Sequence, residues 1–178
     1  MAKLDIGSTP PDFTLPSDGG GTITLSELRG QPVVLYFYPK DDTSGCTQEA
    51  IEFSGLKPQF DKLGAKVIGM SPDPVKKHDK FKNKHGLKVD LVADEDKAII
   101  EAYGLWVEKS MYGRKYMGVE RTTYLIDKAG KIARIWNKVK VPGHAAEVLE
   151  ATATVISLFE HPFEARDPSA ASLIMCAQ

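Results

Sequence analysis

The sequence has very few cysteines. Its 178 residues include only two, Cys46 and Cys176, and no CxxC pair. This scarcity argues against a disulfide scaffold, and the missing pair argues against a zinc ribbon or a thioredoxin-type dithiol. A thiol in this chain is therefore either inert or a lone reagent.

The chain also has a net charge of only -1 and lacks a long apolar run. Its 24 acidic residues balance 23 strongly basic ones, so the electrostatic case for a nucleic-acid or anionic-membrane partner is absent. No uncharged stretch approaches the about 20 residues of a membrane-spanning helix, and the start, MAKLDIGSTPPDF, has no signal-peptide core. We expect a cytoplasmic protein with no nucleic-acid and no membrane partner.

The pattern that is present alternates between strands and helices. Residues 33–38 (VVLYFY) predict a strand buried on both faces, and an apolar stripe from about Ser44, interrupted at Pro58, predicts the helical segment that follows. Further strands are predicted at 66–70 and 89–92, and helices at 96–103 and around 148–159.

Two other segments carry clear boundary signals. Asp73 is the predicted N-cap of a helix that Gly86 ends, and residues 122–126 and 131–136 flank a turn that predicts an antiparallel hairpin. Together the segments predict an α/β, thioredoxin-like fold for residues 1–160. It has a central mixed sheet, flanking helices and an N-terminal β extension over 13–25, and residues 161–178 form a tail.

Cys46 occupies a chemically favourable place in this fold. It follows the first long strand and lies in the first turn of the next helix, where free backbone N–H groups favour a thiolate over a thiol. Thr43 is the predicted N-cap, and its hydroxyl is expected to reach the Cys46 amide.

The residues around Cys46 resemble a known active site. The segment 39–46, PKDDTSGC, matches the PxxxTxxC motif of peroxiredoxins, and YFYPKDDTSGCTQEA resembles the Q-type, bacterioferritin-comigratory-protein subfamily. The resemblance continues through VIGMSPDPVKKHDKF, AYGLWVEKSMYGRKYMGVERTTYLIDKAGKI and GHAAEVL, and so covers about residues 4–156.

The resemblance implies a cysteine-dependent peroxidase that needs no metal, haem or other cofactor. Cys46 would attack a hydroperoxide and become sulfenic acid. Thr43 and the Cys46 amide would donate hydrogen bonds, Arg121 would stabilise the thiolate and polarise the peroxide, and Pro39 would shield the sulfur from water.

Other residues have both a functional and a structural interpretation. Glu49 matches an acidic position of the family and is either an orienting partner of an arginine or a routine first-turn acid. Tyr38, Trp106 and Tyr116 are either walls of the site or packing residues. His78 and His85 have no acidic or thiol partner at ligand spacing, so we expect them to be solvated or capping, with no metal.

The recycling step is where the sequence departs from the family. Q-type members commonly carry a resolving cysteine at the position of Ile51. Either an external thiol regenerates Cys46, which we favour, or Cys176 resolves it from the tail. The expected reductant is thioredoxin first and glutathione or glutaredoxin second, acting on a monomer or homodimer.

Two alternatives to a turnover enzyme follow from the same residues. The missing thiol at position 51 suits a peroxide sensor or redox relay whose oxidised Cys46 passes its oxidation to a partner. An inert binding module with a thioredoxin-like fold would instead require an unreactive Cys46.

Overall fold

The computed structural model describes residues 4–160, which form nine strands and five α-helices. The strands are β1 Thr14–Pro16, β2 Thr22–Thr24, β3 Val33–Phe37, β4 Lys66–Ser71, β5 Asp90–Ala93, β6 Trp106–Met111, β7 Arg114–Val119, β8 Thr122–Ile126 and β9 Ile132–Trp136. The helices are α1 Ser44–Gly55, α2 Lys57–Lys62, α3 Val75–His85, α4 Ala98–Ala102 and α5 His144–Glu160. None of these helices combines the length and the hydropathy needed to cross a membrane.

The central sheet has the order β5-β4-β3-β8-β9. Strand β3 is parallel to β4, and β4 is parallel to β5. On the other side of β3, β8 is antiparallel to β3, and β9 is antiparallel to β8. The predicted mixed sheet with a final hairpin is therefore confirmed. Because Phe37 at the end of β3 is paired with Thr122 at the start of β8, the loop after β3 lies beside the residue that precedes β8.

Alternate residues of β3 face two separate hydrophobic clusters, as expected of a strand buried on both faces. Tyr36 faces the cluster formed with α1, α2, α3 and α5, and Leu35 faces the cluster formed with the N-terminal extension and α4. All five residues of β3 are buried, so the strand is a rigid base for the loop that follows it.

The predicted break in the first helical segment is present. Helix α1 ends at Gly55 and α2 begins at Lys57, with Pro58 in its first turn. Proline has no N–H to donate and tolerates only the first turn of a helix, so the chain starts a new helix there.

The start of α3 differs from the prediction. Its N-cap is Pro74, and Asp73 makes no capping bond to the helix. The Asp73 carboxylate instead accepts hydrogen bonds from the Asp41 amide, the Ser71 hydroxyl and the Lys77 ammonium group. These three donors, of which the Asp41 amide is distant in the sequence, engage the carboxylate in place of the helix amides. The predicted end at Gly86 is correct, and its φ of 61° is the left-handed conformation that glycine favours.

A second hairpin was not predicted. Strands β6 and β7 pair from Trp106 opposite Val119 to Met111 opposite Arg114. The turn residues Tyr112 and Gly113 both have positive φ, which is the backbone of a tight two-residue hairpin turn. Exposed polar and apolar residues are mixed along β7, so the sequence shows little of the alternation that marks a strand.

The predicted N-terminal β extension is confirmed as the antiparallel pair β1 and β2. The turn between them docks on α3, where the Gly19 N–H donates to Asp79 and Lys82 pairs with Asp18. Two further lysines of α3 also form ion pairs, Lys77 with Asp73 and Lys84 with Asp42.

Candidate active site

The site is built where β3 passes into α1. After Phe37 the chain forms a short loop and enters α1 at Ser44, so Cys46 lies in the first helical turn as predicted. Its side chain is 2% exposed. The N–H groups at the start of a helix have no intrahelical acceptors, and they favour negative charge at this sulfur.

Arg121 reaches Cys46 from the start of β8, the strand next to β3 in the sheet. It directly precedes β8, and its Nη2 is 3.2 Å from Cys46 Sγ. Gly45 permits this approach, because a Cβ atom there would lie 3.3 Å from the same Nη2. The structure thus brings a fixed positive charge to the sulfur.

Glu49 holds the other arm of the guanidinium. Its Oε1 is 3.1 Å from Arg121 Nη1, while the carboxylate is buried and its Oε2 has no partner among the described residues. Burial raises the pKa of Glu49 to about 7 against the opposing effect of Arg121. Burial alone would lower the pKa of Arg121, yet the charges of Glu49 and Cys46 raise it on balance. Arg121 therefore stays charged.

The hydroxyl of Thr43 is not placed as predicted. Thr43 is the N-cap residue, but its Oγ1 donates to the carbonyl oxygen of Lys40 at 2.9 Å and makes no capping bond. The nearby carbonyl in the turn outcompetes the helix amide for this side chain. Because its proton is committed, the exposed Thr43 oxygen is available as an acceptor.

Three of the other predicted neighbours are distributed around the loop and the second hairpin. Pro39 is half-buried in the loop itself. Trp106 packs against the cluster on the opposite side of the sheet, with the Lys97 ammonium 4.8 Å from the ring centroid, and Tyr116 is exposed on β7. Trp106 thus does not join the buried cluster that contains Cys46. Cys176 lies outside the described residues.

Tyr38 does belong to the buried cluster of Cys46, but its polar end points elsewhere. Its hydroxyl donates to Asp41 Oδ1 at 2.5 Å. The tyrosine hydroxyl that is affected by the charges of Glu49 and Cys46 is that of Tyr36. Burial, and next the charges of Glu49 and Cys46, raise its pKa well above the usual value, and its hydroxyl has no partner among the described residues.

The prediction for His78 was wrong. This residue is fully buried and lies 2.6 Å from Asp41 through Nδ1. His78 lies three residues from both Val75 and Phe81, so the three share one helix face, and this apolar spacing is the signal that could have shown its burial. His85 is partly buried and contacts Asp42 at 2.8 Å.

A third histidine, His144, contacts β8 two residues beyond Arg121. His144 is buried at the start of α5, and its Nε2 is 2.8 Å from the Thr123 hydroxyl. Burial lowers the pKa of His144 to about 4, so this residue is neutral and serves as a hydrogen-bonding part of the core beneath the site. Among residues 4–160, no group of His, Cys, Asp and Glu side chains is arranged to hold a metal ion.

Residues 6–135 match the model of the AhpC/TSA family. The chain belongs to this peroxiredoxin family. It is 49% identical to a putative peroxiredoxin Bcp of Coxiella burnetii over 147 residues, which are 83% of this chain and 97% of that one. It is 47% identical to peroxiredoxin Bcp of Bacillus subtilis, over 83% of this chain and 94% of that one.

Solved structures agree with these relatives. The bacterioferritin comigratory protein of Xanthomonas campestris is 43% identical, with a TM-score of 0.79 over 88% of this chain and 99% of that one. A cysteine-to-serine mutant of Xylella fastidiosa PrxQ is 41% identical, with a TM-score of 0.81 over 86% of this chain and 98% of that one. The protein is thus a Q-type peroxiredoxin with a thioredoxin-like fold, an enzyme that acts on peroxide with a thiol reductant.

Proposed function

We propose that Cys46 is the residue that reduces the peroxide, and that an external thiol regenerates it. The substrates are hydrogen peroxide and small alkyl hydroperoxides. The observation that carries this proposal is the 3.2 Å contact between Cys46 Sγ and Arg121 Nη2 at the start of α1. Around this sulfur the structure places a guanidinium held by Glu49 and the free N–H groups of a helix start, which are able to stabilise a thiolate.

The reaction at the sulfur is a displacement. The Cys46 thiolate attacks the terminal oxygen of ROOH, an S–O bond forms and the O–O bond breaks. The sulfur is oxidised to sulfenic acid, and the leaving RO⁻ takes a proton and departs as water or alcohol. Negative charge moves from the sulfur toward the leaving oxygen, so a catalyst must place positive charge along that line.

Arg121 supplies this charge. Its guanidinium cannot lose its proton and has several N–H donors in a fixed plane, so one arm can contact the sulfur while the other is held by Glu49. Glu49 is therefore a positioning residue that fixes the rotation of the guanidinium.

Thr43 and Pro39 complete the entrance. Since the Thr43 proton is donated to Lys40, its oxygen accepts the O–H of the hydroperoxide and turns the terminal oxygen toward the sulfur. Pro39 has no N–H and places an apolar ring in the loop beside the site, which limits the access of competing water.

Recycling uses an external thiol in this proposal. Position 51 holds isoleucine, whose side chain is 47% exposed on α1, and Cys46 is the only cysteine in residues 4–160. A thiol of thioredoxin, or second of glutathione or glutaredoxin, attacks the sulfenic sulfur and releases water. A second thiol then reduces the mixed disulfide. Resolution by Cys176 is the alternative cycle.

The comparisons support the substrate class. Both curated relatives described above are named peroxiredoxin Bcp, and the work on the Xanthomonas campestris structure concerns alkyl peroxide reduction by that protein. We transfer this substrate class to the present chain as part of the proposal.

The deciding experiment treats the protein with one equivalent of hydrogen peroxide in the presence of a sulfenic-acid trap. The mass of the intact protein is then measured under non-reducing conditions. We expect a trap adduct at Cys46 in the wild type and in Cys176→Ser, and none in Cys46→Ser. If the wild type instead lost the mass of two hydrogens, which indicates a disulfide, and only Cys176→Ser formed the adduct, Cys176 would be the resolving residue. Wild-type peroxide turnover in Cys46→Ser would disprove the proposal.

A redox relay is the second candidate function. The isoleucine at position 51 favours it, because a sulfenic acid with no second cysteine among residues 4–160 to resolve it persists longer. Many turnovers per minute with a generic dithiol would exclude a pure relay. A stable mixed disulfide with one partner protein and no turnover would support it.

A further inference from the structure

The loop from Tyr38 to Thr43, here called the catalytic loop, connects the rigid strand β3 to the first turn of α1. Two consecutive aspartates lie at its centre. Asp41 is 2% exposed, whereas Asp42 is exposed and has a φ of 60°, an unusual backbone conformation for a residue with a side chain. A loop with this geometry needs specific contacts to keep it in place.

Asp41 is held by three neighbours. Its Oδ1 accepts the Tyr38 hydroxyl at 2.5 Å, and its Oδ2 lies 2.6 Å from His78 Nδ1. Its backbone N–H donates to Asp73 Oδ2 at 2.7 Å. The buried carboxylate is therefore fully engaged, and both side-chain contacts are short.

The protonation of His78 follows from its second contact. Its Nε2 lies 3.0 Å from the Val92 carbonyl oxygen, which can only accept, so Nε2 carries a hydrogen. Nδ1 and Asp41 Oδ2 then share one further proton, since two lone pairs would repel at 2.6 Å. If this contact breaks, a buried polar group loses its partner, which is a large penalty in the protein interior.

Asp42 makes a second, more exposed attachment to the same helix. Its Oδ1 is 2.8 Å from His85 Nε2 and its Oδ2 is 2.7 Å from Lys84 Nζ. Exposed ion pairs of this kind contribute little, so the buried contact to His78 is the stronger attachment of the catalytic loop to α3.

Burial of Cys46 makes this attachment relevant to the catalytic cycle. A hydroperoxide is small enough to reach a sulfur that is 2% exposed, but the thiol of another protein is not. The catalytic loop must therefore open before an external protein thiol can attack. Whatever holds the loop also determines how often it opens.

We propose that Asp41 and His78, together with the Tyr38 hydroxyl, form a loop anchor that holds Cys46 in the peroxide-reactive conformation and sets the population of the open form that meets the external thiol. The proposal rests on the proposed function in taking Cys46 as the reacting sulfur. The three residues act through the catalytic loop, so they are positioning residues.

The test compares two substitutions of His78 in a Cys176→Ser background. In His78→Asn the amide nitrogen takes the place of Nδ1 and keeps a donor toward Asp41. In His78→Gln the amide takes the place of Nε2 and keeps only the contact to Val92. Both variants lose the imidazole ring and its packing. The main difference between them is therefore whether the hydrogen bond to Asp41 is kept.

The measured quantity is the rate at which a bulky maleimide labels Cys46, followed from low to high pH. The plateau at high pH reports the population of the open loop, separately from the ionisation of the thiol. Lys82→Gln is the matched control, because it removes a contact of α3 to Asp18 and leaves the catalytic loop untouched. Thermal unfolding of each variant measures the loss of packing.

We expect the plateau rate of His78→Gln to rise about tenfold or more, the usual effect of losing a hydrogen bond to a charged group. His78→Asn should stay near the background protein, and so should Lys82→Gln. Equal plateau rates in the Asn and Gln variants, whether raised or unchanged, would overturn the proposal.

A milder variant covers the case in which neither histidine variant folds. Tyr38→Phe removes only the hydroxyl that Asp41 accepts, and we expect its plateau rate to rise about fivefold. An unchanged rate in this variant would also overturn the proposal. Maleimide labelling needs no peroxide chemistry, so failure of the loop anchor is distinguishable from failure of Cys46 to reduce peroxide in the wild type.

Discussion

Arg121 Nη2 lies 3.2 Å from Cys46 Sγ although 75 positions separate the two residues in the chain. The contact depends on the pairing of β3 with β8, which places the start of one strand beside the end of the other. A sulfur at a helix start and a permanent cation are thereby combined without any local sequence link. The predictions below test what each part of this arrangement contributes.

Replacing Arg121 by lysine should reduce the rate of Cys46 oxidation by peroxide about 100-fold. An ammonium group keeps the charge but lacks the planar fork, so it cannot contact Glu49 and the sulfur with two separate arms as the guanidinium does. Stopped-flow measurement of oxidation with hydrogen peroxide checks this value. A lysine variant that reacts nearly as fast as wild type would show that charge alone is sufficient.

Replacing Glu49 by glutamine should remove one component of the pH dependence of stability. The folded carboxyl has a pKa of about 7 against 4.5 for an ordinary glutamate, so between these values the folded state binds more protons than the unfolded state. The resulting stabilisation is complete at low pH and is lost as the pH rises toward 7 and above.

The measurement for Glu49→Gln is urea unfolding at about pH 5 and about pH 8, on either side of the folded pKa, and the difference between wild type and variant isolates this one group. We expect the wild type to lose more stability than the variant between the two pH values. Because Gln still accepts a hydrogen bond from Arg121, oxidation of Cys46 by peroxide should change only a few-fold. A wild type and variant with parallel pH profiles would contradict the elevated pKa.

Replacing Thr43 by valine should slow peroxide oxidation of Cys46 about tenfold, because the side chain loses the oxygen that accepts the hydroperoxide O–H. Thr43→Ser keeps the hydroxyl and should retain most of the rate. The same stopped-flow assay compares them. If valine and serine reacted alike, the role of Thr43 would be limited to the start of the helix.

Local sequence patterns were sufficient for much of the fold. The run VVLYFY, the break at Pro58 and the stop at Gly86 are short-range signals, because strand burial, proline geometry and left-handed glycine depend on a few neighbouring residues. The segment PKDDTSGC placed Cys46 in the first turn of a helix for the same reason.

Partners were harder to predict, because packing between distant elements selects them. The Thr43 hydroxyl could either cap the helix amides or donate to the Lys40 carbonyl, and in the structure it donates to the Lys40 carbonyl. Asp73 could have capped α3, but its carboxylate accepts hydrogen bonds from the Asp41 amide and the Lys77 ammonium group instead. His78 shared a helix face with apolar residues, yet only β5 and the catalytic loop supplied the acceptors that allow a histidine to be buried there.

The sequence by itself therefore determined the order of most strands and helices and the place of Cys46 at a helix start, since these depend on propensities that act over a few residues. The tertiary structure decided which charge reaches the sulfur, how Glu49 is held and what attaches the catalytic loop to α3. Those features depend on hydrogen bonds across the sheet and between helices, which form only when residues far apart in the chain are packed together.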